Sequence, residues 1–353
     1  MKIPKRRKTR EVRAGGVIIG GKAPVSVQSM TCTQTSDIRA TLAQIRRLAK
    51  AGCELVRVAV PDSAALSALS ALTKSSPLPL VADIHFKVDF ALGALEAGCD
   101  KIRINPGNLG GLKPFQTVLR KAAGTGAAIR IGVNSGSVEK DLLNRYGGPT
   151  PQAMVESALR FIETAEKCRF HQLVVSIKSS HAPDAVEANR LLSKAMDYPI
   201  HIGITEAGTQ HYGTLKSAVG LGALLLDGIG DTLRVSLTGD PVLEIPAAFD
   251  ILKAAGVRLV SPEVISCPTC GRLQYNMDKV AREIEKKLQT IRKPLRVAVM
   301  GCVVNGPGEA KEADIALAGG RNSALLFVRG KKVAQVREDE MVEAVIAAAK
   351  SFQ

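Results

Sequence analysis

The sequence has 353 residues, of which 46% are apolar and 3% aromatic, and it contains no tryptophan. This length suits two domains, or one large barrel with an appendage. The formal net charge is +15, and seven basic residues and one acidic residue among the first thirteen supply +6 of it. No apolar run approaches the ~18 residues of a membrane span, and the apolar run after the basic start is too short for a signal peptide. We therefore expect a cytoplasmic protein with a solvated basic arm.

Short β-rich segments alternate with amphipathic helical segments along the first 240 residues. The β-rich segments are VSVQSM from Val25, LVRVAV from Leu55, LPLVADIHF from Leu78, KIRINPGN from Lys101, AIRIGVNSGS from Ala128, LVVSIKSS from Leu173, IHIGITEAG from Ile200 and TLRVSLTGD from Thr232. One helix is expected between caps at Ser36 or Asp37 and Gly52, and another from Pro151. Eight such βα units in about 250 residues are the number found in a TIM barrel.

We therefore predict an α/β protein with a TIM (β/α)8 barrel over residues 1–255 and a small α/β domain over residues 256–353. A doubly wound sheet is the alternative, because local patterns do not show whether a sheet closes. REVRAGGVIIGGKAP, near the start, is expected to form a hairpin that covers the bottom of the barrel. After residue 252 we expect a strand before SCPTCGR, a helix over NMDKVAREIEKKLQTI, a strand before a Gly-Pro-Gly turn, three short strands and a final helix.

Polar and charged residues recur at the predicted carboxyl ends of the barrel strands, where TIM-barrel enzymes carry their chemistry. They are Arg57, Asp83, His85, Arg103, Asn105, Asn108, Arg130, Asn134, Ser135, Lys178, Glu206, Arg234 and Ser236. Pairs spaced by two residues share one face of a strand. Five cations facing the barrel mouth would repel one another unless an anion lies between them, and arginine matches phosphate oxygens in bidentate fashion. The alternative is that these residues form ordinary ion pairs on the outer surface.

Three cysteines, Cys267, Cys270 and Cys302, fall in the second domain, whereas Cys32, Cys53, Cys99 and Cys168 are expected to be small buried residues. No histidine follows His211, so a zinc site with four Cys or His ligands is incomplete. An iron–sulfur cluster accommodates three thiolates better and leaves one iron open to another ligand. On spacing, Glu309 is the nearest carboxylate for that position, and Glu312 is its rival.

SCPTCGR and MGCVVNGPGEA, together with VQSMT, VADIHF, KIRINPGN, RIGVNSGS, SIKSS and ITEAG, resemble the bacterial 4-hydroxy-3-methylbut-2-enyl diphosphate synthases over nearly the whole chain. The resemblance implies an iron–sulfur oxidoreductase of the non-mevalonate isoprenoid pathway. Its expected reaction is the two-electron reductive ring opening and dehydroxylation of 2-C-methyl-D-erythritol 2,4-cyclodiphosphate. The expected cofactor is a 4Fe-4S cluster on Cys267, Cys270, Cys302 and Glu309.

The resemblance also implies roles for the residues at the barrel mouth. The implied substrate-binding residues are Arg57, Arg103, Asn105, Arg130, Asn134, Lys178, Arg234 and Ser236. Asp83 and His85 are implied beside the substrate ring, Glu206 as a proton donor to the departing hydroxyl, and Glu309 as an exchangeable cluster ligand.

The implied partners are flavodoxin or ferredoxin as electron donor and a second copy of the chain in a head-to-tail homodimer. A phosphosugar barrel with structural zinc and a basic nucleic-acid-binding module are the rivals. The scarcity of stacking aromatic residues argues against the second of these, and neither a membrane nor a nucleic acid is expected as a partner.

Overall fold

The computed structural model describes residues 5–302, 304 and 306–352. The chain divides into two compact units, Met1–Arg258 and Leu259–Gln353, which we call the barrel unit and the C-terminal unit. Arg258 belongs to the barrel because its guanidinium donates to Glu54 and to the carbonyl of Val25, each at 2.8 Å. The division therefore falls three residues beyond residue 255, where the sequence analysis placed it.

Eight parallel strands from the described part of the chain form the barrel. They are β3 (Ser26–Met30), β4 (Leu55–Ala59), β5 (Leu80–Ile84), β6 (Lys101–Ile104), β7 (Ala128–Asn134), β8 (Leu173–Lys178), β9 (His201–Ile202) and β10 (Thr232–Leu233). From β3 to β8 each strand pairs with the next, and β10 pairs with both β9 and β3. A parallel bridge between Val175 and Ile200 joins β8 to the start of β9. The sheet thus closes, which confirms the TIM barrel.

Helices follow the strands on the outside of the barrel. They are α1 (Ile38–Ala51), α2 (Ser63–Ser75), α3 (Val88–Glu96), α4 (Leu112–Thr125), α5 (Lys140–Tyr146), α6 (Pro151–Lys167), α7 (Ala182–Ala195), α8 (Gln210–Leu226) and α9 (Glu244–Ala254). Helix α1 begins and ends where its sequence indicates. The Asp37 side chain accepts from Ala40 N at 2.9 Å, and Gly52 ends the helix in the left-handed conformation, which glycine adopts readily.

The predicted hairpin is present, as β1 (Glu11–Ala14) antiparallel to β2 (Val17–Gly20). Its apolar residues, among them Val12 and Ile19, are buried against side chains at the amino ends of barrel strands, such as Leu55 and Val81. The hairpin therefore closes the bottom of the barrel, opposite the end where the strands' carboxyl termini meet.

The basic segment before the hairpin is bound to the barrel, so the expectation of a solvated arm is wrong. The Arg6 guanidinium lies 2.8 Å from Oδ1 of Asp231, which is almost fully buried. Arg7 donates through its backbone to Gly228 O at 3.0 Å and through Nη2 to Tyr198 O at 2.6 Å. Carbonyl oxygens in loops below the strands are satisfied by these arginines, which explains the local density of basic residues.

The C-terminal unit is built on a five-stranded sheet in the order β11-β12-β13-β14-β15. Its elements are β11 (Glu263–Ser266), α10 (Met277–Leu288), β12 (Arg296–Met300), α11 (Gly306–Glu312), β13 (Ile315–Gly320), β14 (Ser323–Val328), β15 (Lys331–Arg337) and α12 (Met341–Ser351). The strands β11, β12 and β13 are parallel to one another, and β14 runs antiparallel to both of its neighbours, β13 and β15. Apolar side chains of α10 and α12, such as Ile284 and Val345, share one buried cluster with Val297 and Leu317 of the sheet.

Among the described residues, no helix has both the length and the apolar character required to cross a membrane.

Candidate functional site

A cavity of about 200 Å³ lies at the carboxyl ends of the barrel strands. It is lined by Arg57, Asp83, His85, Arg103, Arg130, Asn134, Ser176, Lys178, Thr205, Arg234 and Ser236. Nine of these were singled out in the sequence, whereas Ser176 and Thr205 were not. Ser176 could have been found, because it precedes Lys178 by two residues on β8 and so shares its inward face. Larger grooves occur on the outer surface of the barrel, but the cavity is where the buried cations converge.

Asp83 is the acidic centre of this cavity. Its Oδ1 accepts from Arg103 Nη1 at 3.0 Å and lies 3.4 Å from His85 Nε2, while its Oδ2 lies 3.6 Å from Arg57 Nη1. Burial acts to raise the pKa of Asp83, but Arg57, His85 and Arg103 outweigh it and hold that pKa well below its usual range. One carboxylate thus stays ionised and orients two arginines.

Arg234 has its own buried partner, which the sequence analysis missed. Its Nε and Nη2 donate to the two carboxylate oxygens of Glu244 at 3.0 and 2.8 Å, and Glu244 is 1% exposed. Glu244 is the first residue of α9, so its position is set by the helix that follows β10. A bidentate pair of this kind fixes the guanidinium plane.

Arg130 and Lys178 differ from the other cavity cations. Neither forms an ion pair with a carboxylate in the described part of the chain, and Nε and Nη1 of Arg130 have no hydrogen-bond partner there. Arg130 is 1% and Lys178 7% exposed. Burial, reinforced by Arg130 and Arg57, holds the pKa of Lys178 well below its usual value. The cavity therefore carries positive charge and hydrogen-bond donors that an anion would satisfy.

Two glycines on inward-facing strand positions make room for these side chains. A Cβ on Gly132 would lie 2.5 Å from Arg103 Nε, and one on Gly203 would lie 2.6 Å from Lys178 Nζ and 2.8 Å from the carbonyl oxygen of Arg234. Glycine within a strand often marks such a close approach. In the sequence, these two glycines indicate that long cationic side chains extend across the barrel interior.

Two residues with predicted roles do not line the cavity. Asn105 follows β6, is 2% exposed, and has an Oδ1 without a partner in the described structure. Glu206 is exposed after β9 and has φ +52°, in the left-handed region, as does Phe86 beside His85 with φ +66°. Non-glycine residues in this conformation cluster at functional loops. The structure thus leaves the roles of Asn105 and Glu206 as predictions.

A second candidate site lies at the carboxyl ends of β11 and β12 in the C-terminal unit. Cys267 and Cys302 follow these adjacent parallel strands, and Gly301 N donates to Cys267 Sγ at 3.3 Å. A Cβ on Gly301 would lie 2.3 Å from Leu273 Cδ2 and 3.2 Å from Met277 Sδ, so a larger residue there would require these side chains to move. Cys270 is exposed in the turn after Cys267.

Glu309 lies in a helix rather than beyond a turn. The segment beginning Gly306-Pro307-Gly308 forms the first turn of α11 (Gly306–Glu312), which corrects the predicted Gly-Pro-Gly turn. Proline is favoured in a first helical turn because its missing N–H has no partner to lose there. No group of three or more His, Cys, Asp or Glu side chains converges anywhere in the described residues. The structure thus brings Cys267 beside the Cys302 segment but does not assemble the four predicted ligands.

The other four cysteines lie in the barrel unit. All seven cysteines of the chain lie within the described residues, and none forms a disulfide. Cys53 and Cys99 are buried as expected, and burial raises the pKa of each to about 12. Cys32, however, is exposed, and its Sγ accepts from Gln44 Nε2 at 3.0 Å, so the expectation of burial is wrong for this residue.

The fold and the two sites define a TIM-barrel protein with a cationic mouth and a separate cysteine-bearing α/β unit. Comparison with known proteins agrees. The model of the GcpE TIM-barrel domain matches residues 9–249, and that of the GcpE protein C-terminal domain matches residues 263–351. The chain belongs to the GcpE family.

Two curated relatives carry the name 4-hydroxy-3-methylbut-2-en-1-yl diphosphate synthase (flavodoxin). The one from Lawsonia intracellularis is 55% identical over 94% of this chain and 92% of its own length. The one from Geobacter sulfurreducens is 56% identical over 96% of each. Among solved structures, 3-dehydroquinate dehydratase from Geobacillus kaustophilus is 12% identical, with a TM-score of 0.51, over 70% of this chain and 98% of its own. That likeness shows the barrel fold alone.

Proposed function

We propose that the barrel cavity binds the diphosphate of the substrate and that the C-terminal unit carries the redox cofactor. The enzyme is an oxidoreductase of non-mevalonate isoprenoid biosynthesis. It converts 2-C-methyl-D-erythritol 2,4-cyclodiphosphate to 4-hydroxy-3-methylbut-2-enyl diphosphate. The reaction breaks a C–O bond to phosphate and a C–OH bond, forms a C=C bond, and consumes two electrons. The observation that carries the assignment of the cavity is the pair of buried cations, Arg130 and Lys178, without carboxylate partners.

The cations of the cavity fall into two groups, those that have a carboxylate partner and those that have none in the described structure. Arg57 and Arg103 are held by Asp83, and Arg234 by Glu244, so their guanidinium groups are oriented before any ligand enters. We assign Arg130 and Lys178 to direct charge compensation of the diphosphate, since nothing in the described structure competes for them. Pre-oriented donors lose little side-chain freedom on binding, which favours a tightly held substrate.

Neutral donors and the acidic pair complete the proposed substrate site. Asn134 and Ser236 line the cavity and can donate to phosphate oxygens, and we include Asn105 as a further donor near the mouth. His85 is half-exposed beside Asp83 and is placed to contact the part of the substrate nearest to solvent. Ser176 and Thr205 add hydroxyl groups to the same wall.

We assign Glu206 as the proton donor to the departing hydroxyl. It follows β9 on the same end of the barrel as the cavity, and its left-handed backbone conformation is one that a loop adopts at a cost. A carboxylic acid near the mouth could protonate a leaving oxygen that a bare cation site could not. Replacing Glu206 by glutamine would leave diphosphate binding intact and lower turnover.

The donor set in the C-terminal unit fits a 4Fe-4S cluster held by Cys267, Cys270, Cys302 and Glu309. None of the three cysteines forms a disulfide, and the N–H of Gly301 donates to Cys267 Sγ, a contact of the kind that tunes cluster sulfurs. A bound cluster would supply single electrons and a Lewis-acidic iron. Glu309, in the first turn of α11, would complete the ligand set where a fourth cysteine is absent.

The proposed partners are an acidic electron donor, flavodoxin or ferredoxin, and a second copy of the chain in a head-to-tail homodimer. The net charge of +15 favours an acidic donor. Helix α8 exposes Tyr212, Leu215, Val219 and Leu226, an apolar surface that supports self-association. Free thiols and an iron–sulfur cluster require a reducing compartment, which supports a cytoplasmic location.

Metal analysis and absorption spectroscopy of the anaerobically purified protein test the cofactor. We expect a brown protein with about four irons per chain, and reductant-dependent turnover of the cyclic diphosphate. Cys302→Ser should lose iron, colour and turnover, whereas the matched control Cys168→Ser should keep all three. A colourless protein with one zinc would contradict the cluster and favour a phosphosugar barrel with a structural metal site.

A further inference from the structure

Below the substrate cavity, the interior of the barrel holds buried polar side chains beside apolar ones such as Leu55 and Val81. Lys101 precedes Arg103 by two residues on β6, and His201 precedes Gly203 by two residues. Both side chains therefore share the inward face and lie about 6.6 Å deeper along the barrel. Both are 0% exposed. Thr232 on β10 pairs with His201, and Gln28 on β3 precedes by two residues Met30, whose sulfur accepts from Arg57. We call Lys101, His201, Gln28 and Thr232 the lower layer.

The polar atoms of the lower layer have no partners in the described structure. These atoms are Nζ of Lys101, both ring nitrogens of His201, both amide atoms of Gln28 and Oγ1 of Thr232. Buried polar groups in native proteins are nearly always hydrogen-bonded, so the exceptions require an explanation. In a TIM barrel this layer is ordinarily filled by branched apolar side chains.

The charges that act on Lys101 are almost all positive. Arg57 on β4 and Arg130 on β7 repel a charged ammonium there, and the charge of Lys101 in turn acts on His201. The carboxylate that acts on it is Asp100, which already accepts from Leu80 N at 2.8 Å. Burial and then Arg130 and Arg57 hold the pKa of Lys101 well below its usual value.

The ion pairs of the cavity do not offset the repulsion between Lys101 and the arginines. Asp83 and Glu244 are engaged by Arg57, Arg103 and Arg234, so neither is available to Lys101. Lys178, on β8, is itself a buried cation without a carboxylate. An ammonium at Lys101 is therefore uncompensated in the empty barrel, and the neutral amine is the state that the surroundings favour.

We propose that Lys101 is a proton-accepting, charge-compensating residue, uncharged in the empty barrel and protonated when a diphosphate occupies the cavity above it. The inference rests on the diphosphate role of the cavity given above. An entering polyanion reverses the sign of the local potential and stabilises the ammonium form. Lys101 does not touch the ligand in this scheme, so it is a positioning residue rather than a catalytic one.

The sign of the pH dependence follows from linkage. A group that gains a proton on binding weakens the complex as pH rises, by up to tenfold in Kd per pH unit for one proton. The dependence applies between the pKa of Lys101 in the empty barrel and its pKa in the complex. Lys178, which lines the cavity, gains a second proton by the same argument. The contribution of Lys101 is therefore measured as the proton uptake that is lost when Lys101 is substituted.

Isothermal titration calorimetry of the full-length protein with inorganic pyrophosphate tests the proposal. Titrations at one pH near 8, in buffers of different ionisation enthalpy, give the number of protons taken up. Lys101→Met should take up about one proton fewer than the unsubstituted protein and show a flatter dependence of Kd on pH. Lys101→Arg, whose charge is fixed, should do the same. Lys74→Met, an exposed lysine of α2, is the matched control and should leave uptake unchanged.

The outcomes separate this inference from the proposed function. Pyrophosphate that binds with the same proton uptake in all four proteins would overturn the role of Lys101 and leave the cavity assignment standing. Pyrophosphate that fails to bind the unsubstituted protein would overturn both. A measurement that needs no variant is the proton uptake by the unsubstituted protein between pH 7 and 9, corrected for the protons that pyrophosphate itself releases on binding. A corrected uptake of less than one proton would also contradict the proposal.

Discussion

The barrel mouth and the cysteine site present functional side chains in different ways. At the mouth, the barrel strands present the side chains. Asp83 and Glu244 accept hydrogen bonds from Arg103 and Arg234, and Asp83 also forms an ion pair with Arg57 at 3.6 Å. In the C-terminal unit, Cys267 contacts Gly301, but no group of three metal-binding side chains converges in the described residues. The fold assembles the first site, whereas we propose that the second is completed only when the cluster binds.

The difference has a physical reason. Ion pairs between arginine and carboxylate satisfy both partners without a ligand, so the polypeptide alone determines their geometry. Thiolates that share a cluster repel one another until the metal is bound, and metal binding and local folding are then one process. We expect the two sites to respond oppositely when their ligands are removed.

Removal of iron should abolish turnover and leave the barrel mouth functional. Chelation of the reduced protein would remove the element that joins the cysteine segments, while Asp83 and Glu244 would still orient their arginines. We expect turnover below detection and a pyrophosphate Kd within about threefold of that of the holoenzyme, measured by calorimetry on the same preparation. A large loss of pyrophosphate binding in the iron-free protein would show that the two sites are coupled.

Arg130→Met should weaken diphosphate binding and not the fold. The buried guanidinium has no carboxylate partner, and an apolar replacement of similar length relieves an uncompensated charge. We expect Kd for pyrophosphate to rise by about 10² to 10³-fold, because a charge-assisted contact to phosphate is lost. The midpoint of urea unfolding should stay unchanged or rise. Arg120→Met, at an exposed position on α4, is the control, and a fall in stability specific to Arg130→Met would indicate a structural role.

The sequence predicted the barrel and most of its mouth because both depend on local patterns. Polar residues at i and i+2, such as Asp83 and His85, identify an inward face, and both of these line the cavity. Eight β-rich segments give the strand number. Closure depends on the bridge between Val175 and Ile200, which joins segments separated by α7 and is not a property of either one. The structure shows that closure directly.

Other features were missed because a local pattern does not show which residues will be their partners. In the sequence, Glu244 resembles an ordinary acidic residue at a helix start, whereas in the structure it accepts a hydrogen bond from Arg234. The basic residues at positions 6 and 7 were expected in solvent, whereas they satisfy Asp231 and the carbonyl of Tyr198 more than 190 residues away. A high density of basic residues predicts that a segment is exposed only when the fold offers no buried hydrogen-bond acceptors to those residues.

Asp83→Asn should lower stability in a manner that depends on pH. The pKa of Asp83 is depressed in the folded protein, so its stabilising effect is present above the unfolded value of 3.8 and is lost as pH falls through the folded pKa. We expect Asp83→Asn to unfold with about 3 kcal/mol less free energy at pH 7, since Arg57 and Arg103 lose their shared carboxylate. The difference between the two proteins should begin to shrink as pH falls below 3.8 and should disappear only below the folded pKa. Urea titrations across this range measure the difference, and a constant difference at all pH values would show that the charge of Asp83 is not its cause.

Gly203→Ala should perturb the mouth least, through the position of Lys178. The added Cβ would lie 2.6 Å from Lys178 Nζ, which can move, and 2.8 Å from the carbonyl oxygen of Arg234, which belongs to the adjoining backbone. We expect about tenfold weaker pyrophosphate binding, equivalent to about 1.4 kcal/mol, with a small decrease in Tm. Gly124→Ala is the matched control, because a Cβ there meets nothing within 4 Å and alanine is preferred in the helix α4. Equal binding by both variants would show that Lys178 reaches the ligand from more than one position, and that its site depends less on the fold than those of Arg57, Arg103 and Arg234.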